Sequence, residues 1–340
     1  MKIGEITINP GERKRTELKI AKLYDYTEMT MPVEIIRGLE DGPIMFVSAA
    51  MHGDEINGVE IARRLLSQKI LKKIKGTLIV VPVINVFGYN SRSRYLPDRR
   101  DLNRSFPGSP SGSLGSRLAN IFLTEIVDKC THGIDLHTAA IHRTNLPHIR
   151  ASLRVEETKR LAKSFGAPVV LNSSIREGSL RSAFIERDIR LLVYEAGEAL
   201  RFNEDAIRSG LIGILSVMKA IGMLDELPFK PRKTKESSIA NNSYWVRATE
   251  SGSWISTKKL GSTIKSKELI GRITDPFGQH VVKVYADKAG ILIGKTTIPL
   301  VNEGDALFHI ASFDDNAAVK ESVESFEDFV DQHSNTEIGA

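Results

Sequence analysis

Cysteine is nearly absent from this 340-residue chain: the single Cys130 rules out an internal disulfide framework. A lone thiol suits a reducing compartment. No apolar run approaches the roughly 18 residues that a membrane-spanning helix needs. The first residues, MKIGEITINPGERKR, contain no apolar core of the signal-peptide kind. These absences lead us to expect a cytoplasmic protein with no membrane partner. The chain also lacks a phosphate loop and a dinucleotide fingerprint. There is no Gly-x-Ser-x-Gly elbow; the serines of GSPSGSLGS at 108–116 read as a flexible turn before a helix. Cys130 and the nearby His132 follow a helical pattern rather than an apolar strand, so a thiol nucleophile is not indicated.

Aromatic residues make up only 6% of the chain, and the basic residues are scattered without aromatic interleaving. That pattern excludes a nucleic-acid surface. The net charge of +5 nevertheless conceals an asymmetry. Residues 312–340 hold eight acidic side chains and one lysine, so the remainder carries about +12. A substrate bearing a carboxylate accounts for the local arginines more economically than a polyanion. Hydrophobic residues at 41% and charged residues at 26% are ordinary for a globular protein, and the length suggests two domains.

What is present centres on residues 43–58, PIMFVSAAMHGDEING. An apolar strand runs into His52 and Glu55, and Asn57 and Gly58 open a helix. Imidazole nitrogen and carboxylate oxygen are both zinc ligands, and catalytic zinc sites use three protein ligands while leaving a fourth position for water. His137 supplies the third candidate, at the end of the apolar run GIDLHT. A third apolar strand, LLVYEAG at 191–197, ends in Glu195. Three strand ends presenting His52 with Glu55, His137, and Glu195 form one constellation at the edge where open α/β sheets place ligands. One Zn²⁺ per chain would activate a water for attack on a carbonyl. Glu195 would take the water proton as general base and return it to a leaving amine as general acid, so the chemistry is amide hydrolysis. Asp135 shares a strand face with His137 and suits either a hydrogen bond to that ligand or a purely structural role.

HGDE at 52–55, RDLNRSFPG at 100–108, DLHTAAIHRTNLPHIRA at 135–151, YEAG at 194–197 and VNEGDALFHI at 301–310 together resemble the succinylglutamate desuccinylase/aspartoacylase family. The resemblance covers about residues 30 to 312. It implies the zinc-carboxypeptidase fold and a zinc-dependent deacylase acting on carbon–nitrogen bonds other than peptide bonds. The substrate it implies is a small, carboxylate-bearing N-acyl amino acid or related amide. It further implies that Asn103 and Arg104 hold the substrate's carboxylate, for which a planar guanidinium is well shaped; pairing of Arg104 with Asp98 or Asp101 is the plainer alternative. Arg94 matches in kind the family arginine that stabilises the oxyanion, with Arg92, Arg99 and Arg100 open as alternatives. Two further readings stay open: a zinc carboxypeptidase of short peptides, and a non-catalytic binding protein that works through its C-terminal β region.

The expected fold class is α/β, a mainly parallel mixed sheet with helices on both faces, followed by a small all-β barrel-sandwich domain. From residue 44 to about 228 strands and helices alternate: strands at 44–50, 77–84, 133–136, 168–172 and 190–195, helices at 56–69, 116–128, 155–165 and 203–222. A polar loop at 90–113 and a long loop up to residue 150, carrying His142, Arg143, Asn145 and Arg150, would border the site. We expect a catalytic domain at 1–232, a linker at 233–242, a β domain at 243–312 and an acidic tail at 313–340. In the β domain ATESG at 248–252 is repeated by ADKAG at 286–290, and LIGRI at 269–273 by ALFHI at 306–310. Two such halves resemble biotinyl/lipoyl-type domains, although Lys288 occupies the turn opening the second half rather than a hairpin tip between halves. That domain would close over the site or support a homo-oligomer. In the tail Val319, Val323, Phe326 and Val330 follow helical spacing.

Overall fold

Strand Ile44–Ala49 shows why the molecule is layered. Its side chains alternate between two cores, as a pleated strand requires. Met45, Val47 and Ala49 pack with Ile61 and Leu65 of helix Asn57–Leu66 and with Leu211 and Leu215 of helix Glu204–Ala220. Phe46 points the other way, to Phe122 of helix Leu114–Glu125, with ring centroids 5.7 Å apart, and to Phe184. Burying a side chain of this size stabilises by about 1.5–3 kcal/mol, so a central strand that is apolar on both faces demands helices on both faces. The computed structural model describes residues 1–185, 187–230, 237–313 and 316–332.

The main sheet is mixed: parallel ladders predominate up to Ser238–Ala240, and the C-terminal strands that extend it are antiparallel. Parallel ladders join Ile44–Ala49 to Thr77–Val81 and His132–Ala139, and His132–Ala139 to Arg190–Glu198. Antiparallel strands flank this centre. On one side lie Glu28–Arg37 and Arg13–Lys22, a long hairpin. On the other side the expected loop up to residue 150 is instead a strand, Arg143–Ala151, antiparallel to Arg190–Glu198. Its alternation is interrupted at Pro147, where the register with Arg190–Glu198 shifts, and proline inside a sheet is confined to such irregularities or to edges. A short helix, Leu180–Ile185, also escapes the sequence pattern.

The C-terminal β region follows the repeat. Gly252–Ile255 pairs with Leu269–Thr274, and Gly290–Thr296 with Ala306–Ser312, both antiparallel. In each pair the residue after the glycine faces the residue after the terminal isoleucine, Ser253 with Thr274 and Ile291 with Ala311. A shared core of Val246, Trp254, Ile273, Phe308 and Ile310 joins a four-stranded sheet to the C-terminal strands of the main one. The β region is hydrogen-bonded to the rest: Gly290–Thr296 pairs with Arg143–Ala151 at Gly294 and Asn145. Of the segment expected as linker, 233–236 lie outside the described residues, and Ser238–Ala240 forms a strand parallel to Val169–Asn172. Helix Asn316–Gln332 buries Val319, Val323, Phe326 and Val330. Among the described residues no helix is long and apolar enough to cross a membrane.

One glycine sets the geometry at the end of the Ile44–Ala49 strand. A Cβ on Gly53 would lie 1.9 Å from the Gly88 carbonyl carbon and 2.1 Å from the Tyr89 nitrogen, both backbone atoms that cannot rotate away. Gly53→Ala is therefore expected to destabilise by about 1–3 kcal/mol or more and to displace His52 and Glu55. Thermal unfolding with metal analysis of the folded fraction checks this; an unchanged Tm and full metal content would contradict it.

Candidate active site

His52 and Glu55 lie in the turn after Ile44–Ala49, and Ala50 turns the chain there with φ of 49°. His137 stands on the neighbouring parallel strand His132–Ala139. Their side chains converge: His52 Nδ1 lies 2.7 Å from Glu55 Oε1, and His137 Nδ1 lies 2.8 Å from Glu55 Oε2. One ligand atom from each of the three sits within 4.8 Å of the others, and all three residues are buried. Among the described residues, this is the one group of three or more His, Cys, Asp or Glu side chains so placed. The outer ring nitrogens are held as well, His52 Nε2 3.2 Å from Asp101 Oδ1 and His137 Nε2 2.8 Å from Asp135 Oδ2. Asp135 is in turn fixed by the Ser48 hydroxyl at 2.8 Å. Carboxylates in that position orient ligand imidazoles and raise their basicity.

Charge follows from these contacts. Burial works against ionised Glu55, but His52 and His137 outweigh it and hold the carboxyl far below the usual carboxylate range. Burial likewise disfavours the imidazoliums, yet Glu55 and Asp101 raise His52, and Asp135 with Glu55 raises His137 well above an ordinary histidine. Arg94 closes the group, with Nη1 3.0 Å from Glu55 Oε1 and Nη2 3.3 Å from Asp101 Oδ2. The neighbouring Arg92, Arg99 and Arg100 are not among the residues lining the cavity around the histidines. Arg92 caps helix Val86–Ser91 in a left-handed conformation, Arg99 also has positive φ, and Arg100 reaches Asp98 and Ser113.

Asn103 and Arg104 form a short 3-10 turn, Leu102–Arg104, capped by Asp101. The Asn103 carbonyl accepts from the Leu180 N–H at 2.9 Å, which turns its NH2 away from that helix. Arg104 donates to the Asn103 backbone carbonyl. Both residues line the same cavity as the histidines.

Glu195 is the cross-strand neighbour of His137 on Arg190–Glu198 and reaches the same cavity. Its carboxylate is held on both oxygens, by Asn145 Nδ2 at 3.1 Å and Arg150 Nη1 at 3.3 Å. Tyr194 faces the opposite core and donates its hydroxyl to the Ala206 carbonyl at 2.8 Å. Glu198 accepts from the His142 N–H at 3.2 Å and from the Thr297 hydroxyl at 3.1 Å, tying two loops beside the site.

The cavity measures about 640 Å³. Arg94, Arg104, Arg143, Arg150, Arg176, Arg181 and Lys295 line it, against the carboxylates of Glu55, Asp135 and Glu195, so its field favours an anion. Burial, with Arg150 nearby, lowers Arg181 to about 10. The C-terminal β region supplies a wall: Ser243, Trp245, Lys295 and His309 all face the cavity. Trp245 stacks on His309 with centroids 4.3 Å apart, and Arg143 lies over the indole at 5.7 Å. Burial pushes His309 down to about 3, so it is a neutral ring bonded to Ser243. Sequence reasoning does not single out Arg181, Trp245 or His309, because no local pattern marks a residue brought to a site by long-range pairing. Asp101 carries a weak signal, a carboxylate beside the Asn-Arg pair.

Residues 41–221 match the family model described as the succinylglutamate desuccinylase/aspartoacylase catalytic domain. An N-alpha-acetyl-L-2,4-diaminobutyric acid deacetylase of Halomonas elongata is 26% identical over 294 residues, covering 83% of this chain and 85% of that protein. A succinylglutamate desuccinylase/aspartoacylase crystal structure from Rhodobacter sphaeroides superposes with a TM-score of 0.81 at 22% identity, over 91% of this chain and 98% of that one. The product-bound ectoine utilization protein EutE (DoeB) from Ruegeria pomeroyi gives 0.81 at 22% identity, over 90% and 97%. Both structures share the fold.

Proposed function

Because the chain belongs to the succinylglutamate desuccinylase/aspartoacylase family, we propose that it hydrolyses the amide bond of a small N-acyl amino acid, releasing a carboxylate and a free amine. The observation that carries this reading is the buried convergence of His52, Glu55 and His137, two imidazoles and a carboxylate. That donor set fits zinc, one ion per chain, with a fourth position left open. Their outer nitrogens face Asp101 and Asp135, which leaves the two Nδ1 atoms and the Glu55 oxygens to ligate. When bound there, zinc supplies a Lewis acid that polarises a carbonyl and acidifies a water.

The remaining roles belong to the protein's own side chains. Glu195 takes the proton of the attacking water and delivers it to the departing nitrogen. Arg94, beside Glu55, neutralises charge on the carbonyl oxygen as the tetrahedral centre forms. Asn103 and Arg104 hold the substrate's carboxylate at the cavity wall, a neutral donor beside a charged one. The excess of cationic over anionic lining residues suits a substrate with a carboxylate. We treat residues 1–232 as the catalytic unit and 243–312 as a barrel-sandwich unit that completes the cavity wall.

The Halomonas relative carries a name that specifies an N-acetylated amino acid, which makes that class the first to test. Zinc-loaded protein should release amine from N-acetyl amino acids and cleave dipeptides at least about tenfold more slowly, a difference within reach of pocket contacts. Amine release measured across both sets decides the point. Faster turnover of dipeptides would favour a carboxypeptidase instead.

A further inference from the structure

We infer that Asn145 and Arg150 are positioning residues for Glu195, and that the C-terminal strand Gly290–Thr296 sets Asn145 in place. The inference rests on the reading of Glu195 as the base. It makes the C-terminal β region part of the catalytic apparatus as well as a wall of the cavity.

Asn145 and Arg150 are five residues apart, so in a regular strand they would point to opposite faces. Here Arg150 faces Val193 and His148 faces Glu195, whereas Asn145 faces Gly197. Two residues, Leu146 and Pro147, therefore stand opposite the single Ala196. Such a bulge carries one extra residue and resets the alternation. It brings Asn145 to the same face as His148, Arg150 and Glu195, and all four line the cavity. The consequence is a carboxylate gripped on both oxygens, one donor neutral and one charged. A general base must lie within hydrogen-bond reach of its proton, and two donors from one strand fix it against rotation about its last side-chain bond.

The third part of the device is Gly294. It pairs directly with Asn145 across the strands. A Cβ there would lie 2.8 Å from Asn145 Oδ1 and 3.2 Å from His309 Cβ. The glycine leaves room for the amide to sit with its NH2 toward Glu195. A side chain at 294 would push that amide, and with it the carboxylate.

The test uses the full-length, zinc-loaded protein and an N-acetyl amino acid that it hydrolyses. Asn145→Ala and Arg150→Ala should each lower kcat by about 10²-fold, the cost of misplacing a catalytic group by about 1 Å. KM should stay within about twofold, since no substrate contact is removed. Zinc content and Tm should match wild type. Asn145→Asp, of equal size but without the donor, should lose as much as Asn145→Ala. Arg150→Lys should recover part of the loss, and guanidinium ion at non-denaturing concentration should partly restore Arg150→Ala. Gly294→Ala should lower kcat in the same way. Wild-type kcat in the Asn145 and Arg150 variants would overturn the inference, as would a raised KM with kcat unchanged, which would make these residues substrate contacts. Glu195→Gln run alongside separates the two readings. If it is inactive while the other variants turn over normally, only this inference fails; if it is fully active, the assignment of the base fails.

Discussion

His137→Ala is expected to leave the protein with almost no bound zinc after dialysis and, in consequence, no amine release. Catalytic zinc sites use three protein ligands, and removing one leaves only His52 and Glu55 from a single turn. The loss does not stop at the metal. Asp135 keeps its hydrogen bond from Ser48 but loses His137, its partner at 2.8 Å, and remains buried. Stranding one partner of a buried charged pair costs about 3–5 kcal/mol, so the variant should also unfold at lower temperature. The pH dependence of zinc binding has a defined sign. Zinc takes neutral imidazole, while both histidines hold their protons above the ordinary histidine value in the metal-free protein. Zinc affinity should therefore fall as pH drops through and below that raised range, and binding should release protons into the buffer. Metal analysis and calorimetry in buffers of different ionisation enthalpy check both points. Full zinc content and turnover in His137→Ala would contradict the site.

Glu195→Gln should reduce kcat by about 10²–10⁴-fold, the usual contribution of a positioned proton-transfer group, while zinc content stays at the wild-type level. The glutamine retains the shape of the side chain and an acceptor for Arg150, but it cannot take a proton from water. It also presents an NH2 where Glu195 now accepts from Asn145. The combination of metal retained and turnover lost is what separates a base from a ligand. Steady-state kinetics beside zinc analysis reads it directly, and wild-type turnover would remove Glu195 from the mechanism.

These side chains are legible in the sequence because each stands at the end of an apolar strand, and strand ends on one edge of a parallel ladder must meet. The strands Ile44–Ala49, His132–Ala139 and Arg190–Glu198 are neighbours in that order. What the pattern conceals is long-range or irregular. Arg143–Ala151 does not read as a strand, because Pro147 and the bulge beside it break the period of two on which a strand is recognised. The hold of Asp101 on His52 spans 49 residues and leaves no periodic trace. Strand Arg13–Lys22 leaves little trace in the sequence because its buried side chains are only Leu18 and Ile20, with polar or charged residues dominating the rest. The C-terminal repeat is legible in the sequence, whereas the pairing of Gly290–Thr296 with Arg143–Ala151 is not, since nothing local in either segment specifies the other.

The proposed chemistry needs one ion shared by residues 52, 55 and 137. X-ray absorption at the zinc edge, on protein loaded with one equivalent, tests that directly. A four-coordinate ion with two imidazole nitrogens and oxygen donors, all at about 2.0–2.2 Å, is the expected result. A spectrum with a single imidazole or none, or no retention of the ion at all, would contradict it.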